Sequence, residues 1–234
     1  MSKPLRVAFV SEGPTDVVVI EAAISRILDE RPYVSTYLHP EQSLAFGPLG
    51  TGWGGVFRWC QQAAVRGRGY LSGDPLFDFH DVLILHLDAD VASKNYAEAN
   101  IHDSFGDLPC VEPCPPSQTT SDRLRTVLLR WVGETSTPAR AVLCVPSKNM
   151  DAWVLAALFP NDSVVRRGDL ECLENPGSRL GQQPKGVRIG KTVREYEKNR
   201  ETIRNAWTRV TTVCTEARRF AKEFRTVVNL ISPD

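Results

Sequence analysis

The chain has 234 residues and a mass of 26.0 kDa, room for one domain with additions or for two small ones. Apolar residues make up 42% and charged residues 24%, ordinary globular usage that excludes wholesale disorder. Lys+Arg and Asp+Glu are both 28, so a globally basic nucleic-acid binder is excluded, though a local basic patch is not.

No stretch approaches the ~20 apolar residues of a membrane helix, and Val7–Val10 is too short for a signal-peptide core. The expectation is a cytoplasmic protein with no membrane contact. Its six cysteines (Cys60, Cys110, Cys114, Cys144, Cys172, Cys214) are then expected to be free thiols. Cys110 and Cys114 form C-x3-C, but zinc needs about four ligands and the nearest histidine is His102. A proline-rich loop is the reading.

In chain order, Leu5–Val10 is short, β-rich and nearly all apolar, the pattern of a strand buried on both faces. Ser11–Asp16 breaks it with Gly13 and Pro14, and Thr15 or Asp16 can cap a helix there. Ile20, Ile24, Ile27 and Leu28 then mark one apolar helix face ending before Pro32. Tyr33–Leu38 is a second strand. Gly47–Gly55 reads as a loop and Val56–Val65 as a short helix; the loop lacks the G-K-[ST] ending of a phosphate loop. Asp81–Leu87 is a third strand running into Asp88-Ala-Asp90. Residues 106–117 carry four prolines and form a surface excursion. Ser121–Val132 is helical and Arg140–Val145 a fourth strand. A helix capped by Ser147 runs through Leu158, and two helices close the chain near 193–206 and 208–228. Alternation of strands and helices predicts a Rossmann-like α/β fold, a mostly parallel sheet with helices on both faces.

In open α/β sheets ligands bind beyond the carboxyl ends of the strands. The first strand runs into Glu12, the third into Asp88 and Asp90. While the backbone stays extended, Asp88 and Asp90 point the same way. Three carboxylates in one crevice repel unless a cation neutralises them, and hard ions such as Mg²⁺ or Mn²⁺ choose such oxygens. His86, two residues before Asp88, is a histidine packed in the sheet or a contact to Asp88. Asp151 lies in the first turn of its helix, as a helix-end charge or a metal ligand, and Lys148 nearby is solvated or a phosphate contact.

Val7–Asp16 followed by a helix resembles the first motif of TOPRIM domains, and Leu83–Asp90 resembles their D-x-D motif. More closely, the chain resembles small stand-alone TOPRIM-like proteins of bacterial mobile and defence loci, over about residues 5–160. Asp151-Ala-Trp153 matches a later motif there, and Lys191, Tyr196 and Lys198 match a Lys…Tyr…Lys pattern in a basic helical tail. The resemblance implies Glu12 as metal ligand or general base, with Asp16 second for the base role. It implies Asp88 and Asp90 as Mg²⁺ (or Mn²⁺) ligands with Asp151 joining them, and a partner ATPase in an antiviral defence module. Many members of that family carry a glycine three residues after the D-x-D, where Asp90 is here followed by Val91-Ala92-Ser93.

Residues 185–225 hold twelve Lys/Arg and five acids, a net +7 balanced by −7 elsewhere. Lys191, Arg218, Arg219 and Lys222 are therefore candidates for phosphate contact. The organisation expected is a TOPRIM-like core over 1–160 and a basic helical extension over 161–234 packed on it. The expected function is a Mg²⁺-dependent nuclease on DNA or RNA, a homo-oligomer being compatible with it. The alternatives are a non-catalytic interaction subunit and a metal-dependent phosphoryl or nucleotidyl transferase.

Overall fold

The computed structural model describes residues 3–29, 31–40, 49–102 and 105–231. Four strands, β1 (Leu5–Val10), β2 (Tyr33–His39), β3 (Val82–His86) and β4 (Ala141–Cys144), form one sheet in the order β2-β1-β3-β4. Every pairing is parallel, with Val7 opposite Val82 and Leu83 opposite Ala141. The helices are α1 (Pro14–Leu28), α2 (Gly52–Arg66), α3 (Leu76–Phe79), α4 (Gln118–Trp131), α5 (Asp151–Leu158), α6 (Ser163–Arg167), α7 (Pro176–Gly181), α8 (Val193–Val213) and α9 (Thr215–Ile231).

The apolar strands are explained by two cores. Leu5, Val7, Phe9, Val82, Ile84 and Val142 point into one, shared with α1, α5, α8 and α9. Ala8, Val10, Leu83, Leu85, Ala141 and Leu143 point into the other, shared with α2 and α4. Side chains alternate faces along a strand, so covering both faces demands apolar residues at every position. The fold is an α/β sandwich of the Rossmann-like kind, with the long C-terminal helices on one face. Those helices share a core with the sheet: Trp207, Phe220 and Phe224 lie in the same apolar cluster as Val7 and Phe9. Trp153 of α5 meets Trp207 edge-on, ring centroids 5.4 Å apart. Among the described residues no helix is long and apolar enough to cross a membrane.

Several boundaries differ from the expectations of the sequence. Helix α2 starts at Gly52, so Gly52–Gly55 is helical where a loop was expected; residues 41–48, which include Gly47, lie outside the described residues. The glycines serve close packing, since a Cβ on Gly54 would stand 2.8 Å from Ala99 Cβ and one on Gly55 2.5 Å from His39 Nε2. The break between the last two helices falls at Cys214, in extended backbone (φ −111°, ψ 114°), and not near 207. The helix expected after Pro146 starts at Asp151; Asn149 Oδ1, not Ser147, accepts from its first amide at 3.1 Å. Helix α1 starts at Pro14 behind Gly13, with no side-chain cap from Thr15 or Asp16. The fixed φ of proline suits that first position. The expectation of six free thiols is also corrected. Cys114 and Cys172 form a disulfide with Cα atoms 5.6 Å apart, because the proline-rich excursion folds against the turn at Leu170–Cys172.

Candidate functional site

The chain leaves β1 toward β2 on one side and returns to β3 on the other, so the crevice beyond β1 and β3 is the topological switch point of the sheet. Glu12, Asp16, His86 and Asp88 all stand there. Asp16 is in the first turn of α1, 4% exposed, where the helix dipole favours a carboxylate. His86 ends β3 fully buried, and Asp88 comes two residues later at 6% exposure. Their ligand atoms lie within 4.8 Å of one another, the one such group of three or more acidic, histidine or cysteine side chains found among the described residues.

Hydrogen bonds fix Asp88. Its Oδ1 accepts from the Met150 amide at 3.1 Å and lies 3.1 Å from His86 Nε2. Its own amide donates to Glu12 Oε1 at 2.7 Å, which brings the half-buried Glu12 carboxylate from β1 to the end of β3. The opposite nitrogen of His86, Nδ1, has no partner. Both roles open to His86 from sequence are therefore filled: it is packed in the sheet and it contacts Asp88.

Electrostatically the crevice has more negative charge than it can hold. Burial, then the charge of Asp88, raises Asp16 to about 7. Burial and the Asp88 charge also push Glu12 well above its ordinary value, against the hydrogen bond from the Asp88 amide. Asp88 itself is pushed well up, by burial and then by Asp90. Burial lowers His86, which favours the neutral imidazole, the form that ligates metal.

The remaining residues named from sequence divide. Asp90 does not continue an extended strand after Asp88, although its charge acts on Asp88. The extended backbone ends at Asp88, Ala89–Ser93 is a 3₁₀ turn, and Asp90 is exposed at the mouth of the crevice. The turn is set by its neighbours: the Ala89 amide donates to Pro146 O at 3.1 Å and the Asp90 amide to Lys148 O at 2.9 Å. Asp151 is 2% exposed and is not grouped with Asp16, His86 and Asp88. The Tyr196 hydroxyl donates to its Oδ1, and Lys191 Nζ stands 3.4 Å from its Oδ2. Lys191, with an exposed side chain, is therefore paired with Asp151. Lys148 is half-buried beside the crevice.

On the C-terminal helices, Arg218 and Arg219 are engaged inside the molecule. Arg218 donates to the Thr211 and Thr212 carbonyls at 2.8 and 2.9 Å, closing the end of α8. Arg219 pairs with Asp122, with Glu223 at 3.2 Å and with Glu216 at 3.8 Å. Lys222 is exposed on α9. No protein-family model, no curated protein and no solved structure matches the chain.

Proposed function

We propose that the crevice is the centre of a divalent-metal-dependent phosphodiester hydrolase, a nuclease on DNA or RNA with a TOPRIM-like arrangement. One observation carries the reading. Asp16, His86 and Asp88 converge within 4.8 Å beyond two adjacent parallel strands, with Glu12 tied to the same strand end. Buried carboxylates with raised pKa values are carboxylates short of a counter-charge.

The donors fit a divalent ion. Asp16 and Asp88 offer hard oxygens of the kind Mg²⁺ and Mn²⁺ take. His86 adds an imidazole whose Nε2 lies 3.1 Å from Asp88 Oδ1, and nitrogen ligation would favour a transition metal over Mg²⁺. Bound there, the ion would polarise the scissile phosphate and lower the pKa of the attacking water. Glu12, tied to the same strand end and raised by burial and the Asp88 charge, is the carboxylate proposed to take the water's proton. Lys148 at the rim would contact a phosphate, and exposed Asp90 would bind through water.

The test uses labelled single- and double-stranded DNA and RNA with Mn²⁺ or Mg²⁺. Cleavage is expected, stopped by EDTA and reduced at least ~10²-fold in Glu12→Gln, the scale of losing a general base. Cleavage by Glu12→Gln and Asp88→Asn at the wild-type rate would refute it. Tight Mn²⁺ binding without cleavage of any of these substrates would favour the interaction-subunit reading.

A further inference from the structure

Half of the basic tail is engaged inside the molecule. Besides Lys191, Arg218 and Arg219, Arg200 pairs with Glu21 at 3.0 Å, Arg204 pairs with Glu201 at 2.9 Å, and Arg209 donates to Ala156 O at 3.2 Å. The other six of the twelve cations are exposed, with no ion pair or hydrogen bond among the described residues. Four of these, Lys185, Arg188, Arg194 and Lys198, fall within residues 185–198. That stretch has two acids, and one of them, Glu197, stands 3.6 Å from Arg200. The positive charge of the tail is therefore unpaired chiefly before and at the start of α8, and less on α9.

The same stretch borders a groove of about 450 Å³, where the end of α5 meets the first turns of α8. Its lining joins apolar surface from Leu158, Phe159 and Val187 to the cations Arg188 and Lys198, with Glu195 as its one acid. Val187 is 54% exposed, an apolar side chain open to solvent between cations. Helix α5 connects groove and crevice. Met150, just before the helix, donates its amide to Asp88, and Leu158 at its other end lines the groove. Eight residues of helix span ~12 Å, so the two lie a few nucleotides apart.

We propose that this groove binds the backbone of a single-stranded nucleic acid that leads away from the crevice, with Arg188 and Lys198 on its phosphates. The proposal deepens the proposed function and takes its polymer from that reading. Cations beside open apolar surface are the combination that holds single strands, because unpaired bases offer their faces to the apolar wall. A duplex keeps those faces stacked inside. A merely solvated helix face would need no groove and no apolar lining.

The test measures anisotropy of labelled single-stranded DNA and RNA oligonucleotides in EDTA, so that no metal is bound and no cleavage intervenes. Each phosphate contact on a single strand contributes about −0.7 to the slope of log affinity against log salt. The double variant Arg188→Ala, Lys198→Ala is expected to bind more weakly and to flatten the slope by about 1.4. Lys3→Ala, Arg68→Ala removes two exposed, unpaired cations outside the groove and is expected to leave the slope unchanged. An unchanged slope in the groove variant, equal flattening in both variants, or no binding by wild type would overturn the site. Duplex DNA showing the same dependence on Arg188 and Lys198 would overturn its single-strand character. Groove-dependent binding without cleavage in Mn²⁺ would uphold the site and sink the nuclease. Cleavage by a groove variant that binds as wild type does would sink the site alone.

Discussion

Replacing Asp16 with asparagine should stabilise the metal-free protein, and the gain should grow with pH. Asp16 is 4% exposed, and burial followed by the charge of Asp88 raises it from 3.8 to about 7. A carboxylate raised in the folded state binds its proton more tightly there than in the unfolded chain. Its contribution is fully favourable below about pH 4 and is lost as pH rises through about 7. A rise of about three pH units at 1.36 kcal/mol per unit gives about 4 kcal/mol as the ceiling of that loss. Asparagine keeps the shape and does not ionise, so Asp16→Asn escapes the loss. In a chain of this length 1 kcal/mol moves the melting temperature by roughly 2–4 °C, so the ceiling is roughly 8–16 °C. The assay is thermal unfolding in EDTA between about pH 4 and 8. The two proteins should melt together at the acid end and diverge through neutrality. Saturating Mn²⁺ should then reverse the order, because a ligand stabilises whichever folded state binds it. Parallel curves across the whole range would refute the charge-crowded crevice, whatever the enzyme assays gave.

Glu216, at the start of α9, provides the same test away from the crevice: burial, opposed by Arg219 and Arg125, raises it from 4.5 to about 7. Its folded pKa is raised, so its contribution is lost as pH rises through about 7, and Glu216→Gln should gain on wild type in urea midpoint from about pH 5 to 8; a constant difference would refute this. The basic helices call for separate handling of their cations. Arg219→Ala should cost about 1 kcal/mol through its pairs with Asp122, Glu216 and Glu223. Lys222→Ala should leave the melting temperature alone and, if α9 tracks a duplex, flatten the slope of log affinity against log salt by about 0.9. An unchanged slope would leave Lys222 as a solvated residue.

Much of the fold was legible because sheet burial on both faces writes itself directly into sequence. Leu5–Val10, Val82–His86 and Ala141–Cys144 are strands for the reason that made them stand out: two cores need apolar residues at nearly every position, Arg6 and His86 excepted. The misplaced boundaries share a cause of another kind. The apolar spacing runs unbroken from Trp207 through Val210, Cys214 and Ala217 because α8 and α9 both face one core. A change of helix axis at Cys214 therefore leaves no trace in the pattern. Gly52, Gly54 and Gly55 suggest a loop on propensity alone, yet contacts with Ala99 and His39 make small residues necessary at 54 and 55 in a helix there. Cys114 and Cys172 are 58 residues apart, and their bond depends on where the proline-rich excursion lands.

At the site, the same distinction decides which carboxylates meet. A period-of-two reading compares only residues along one strand, and it pairs Asp88 with Asp90. That pairing needs extended backbone through Ala89. The amides of Leu87, Ala89 and Asp90 instead bond to Cys144, Pro146 and Lys148, tracking the chain beyond β4, and the extended backbone ends before Asp90. The carboxylate grouped with Asp88 and His86 is Asp16, from another element. A helix starting at Pro14, immediately after a strand, brings its third residue back over the strand end, so Asp16 is near Asp88 although 72 positions separate them. The same geometry places Asp151 at the start of α5, but α7 and α8 close over it and Tyr196 and Lys191 take its oxygens. Residues that begin helices after parallel strands are thus the ones to weigh as ligands alongside the acids that end the strands. What a third element places over them decides which remain open to an ion.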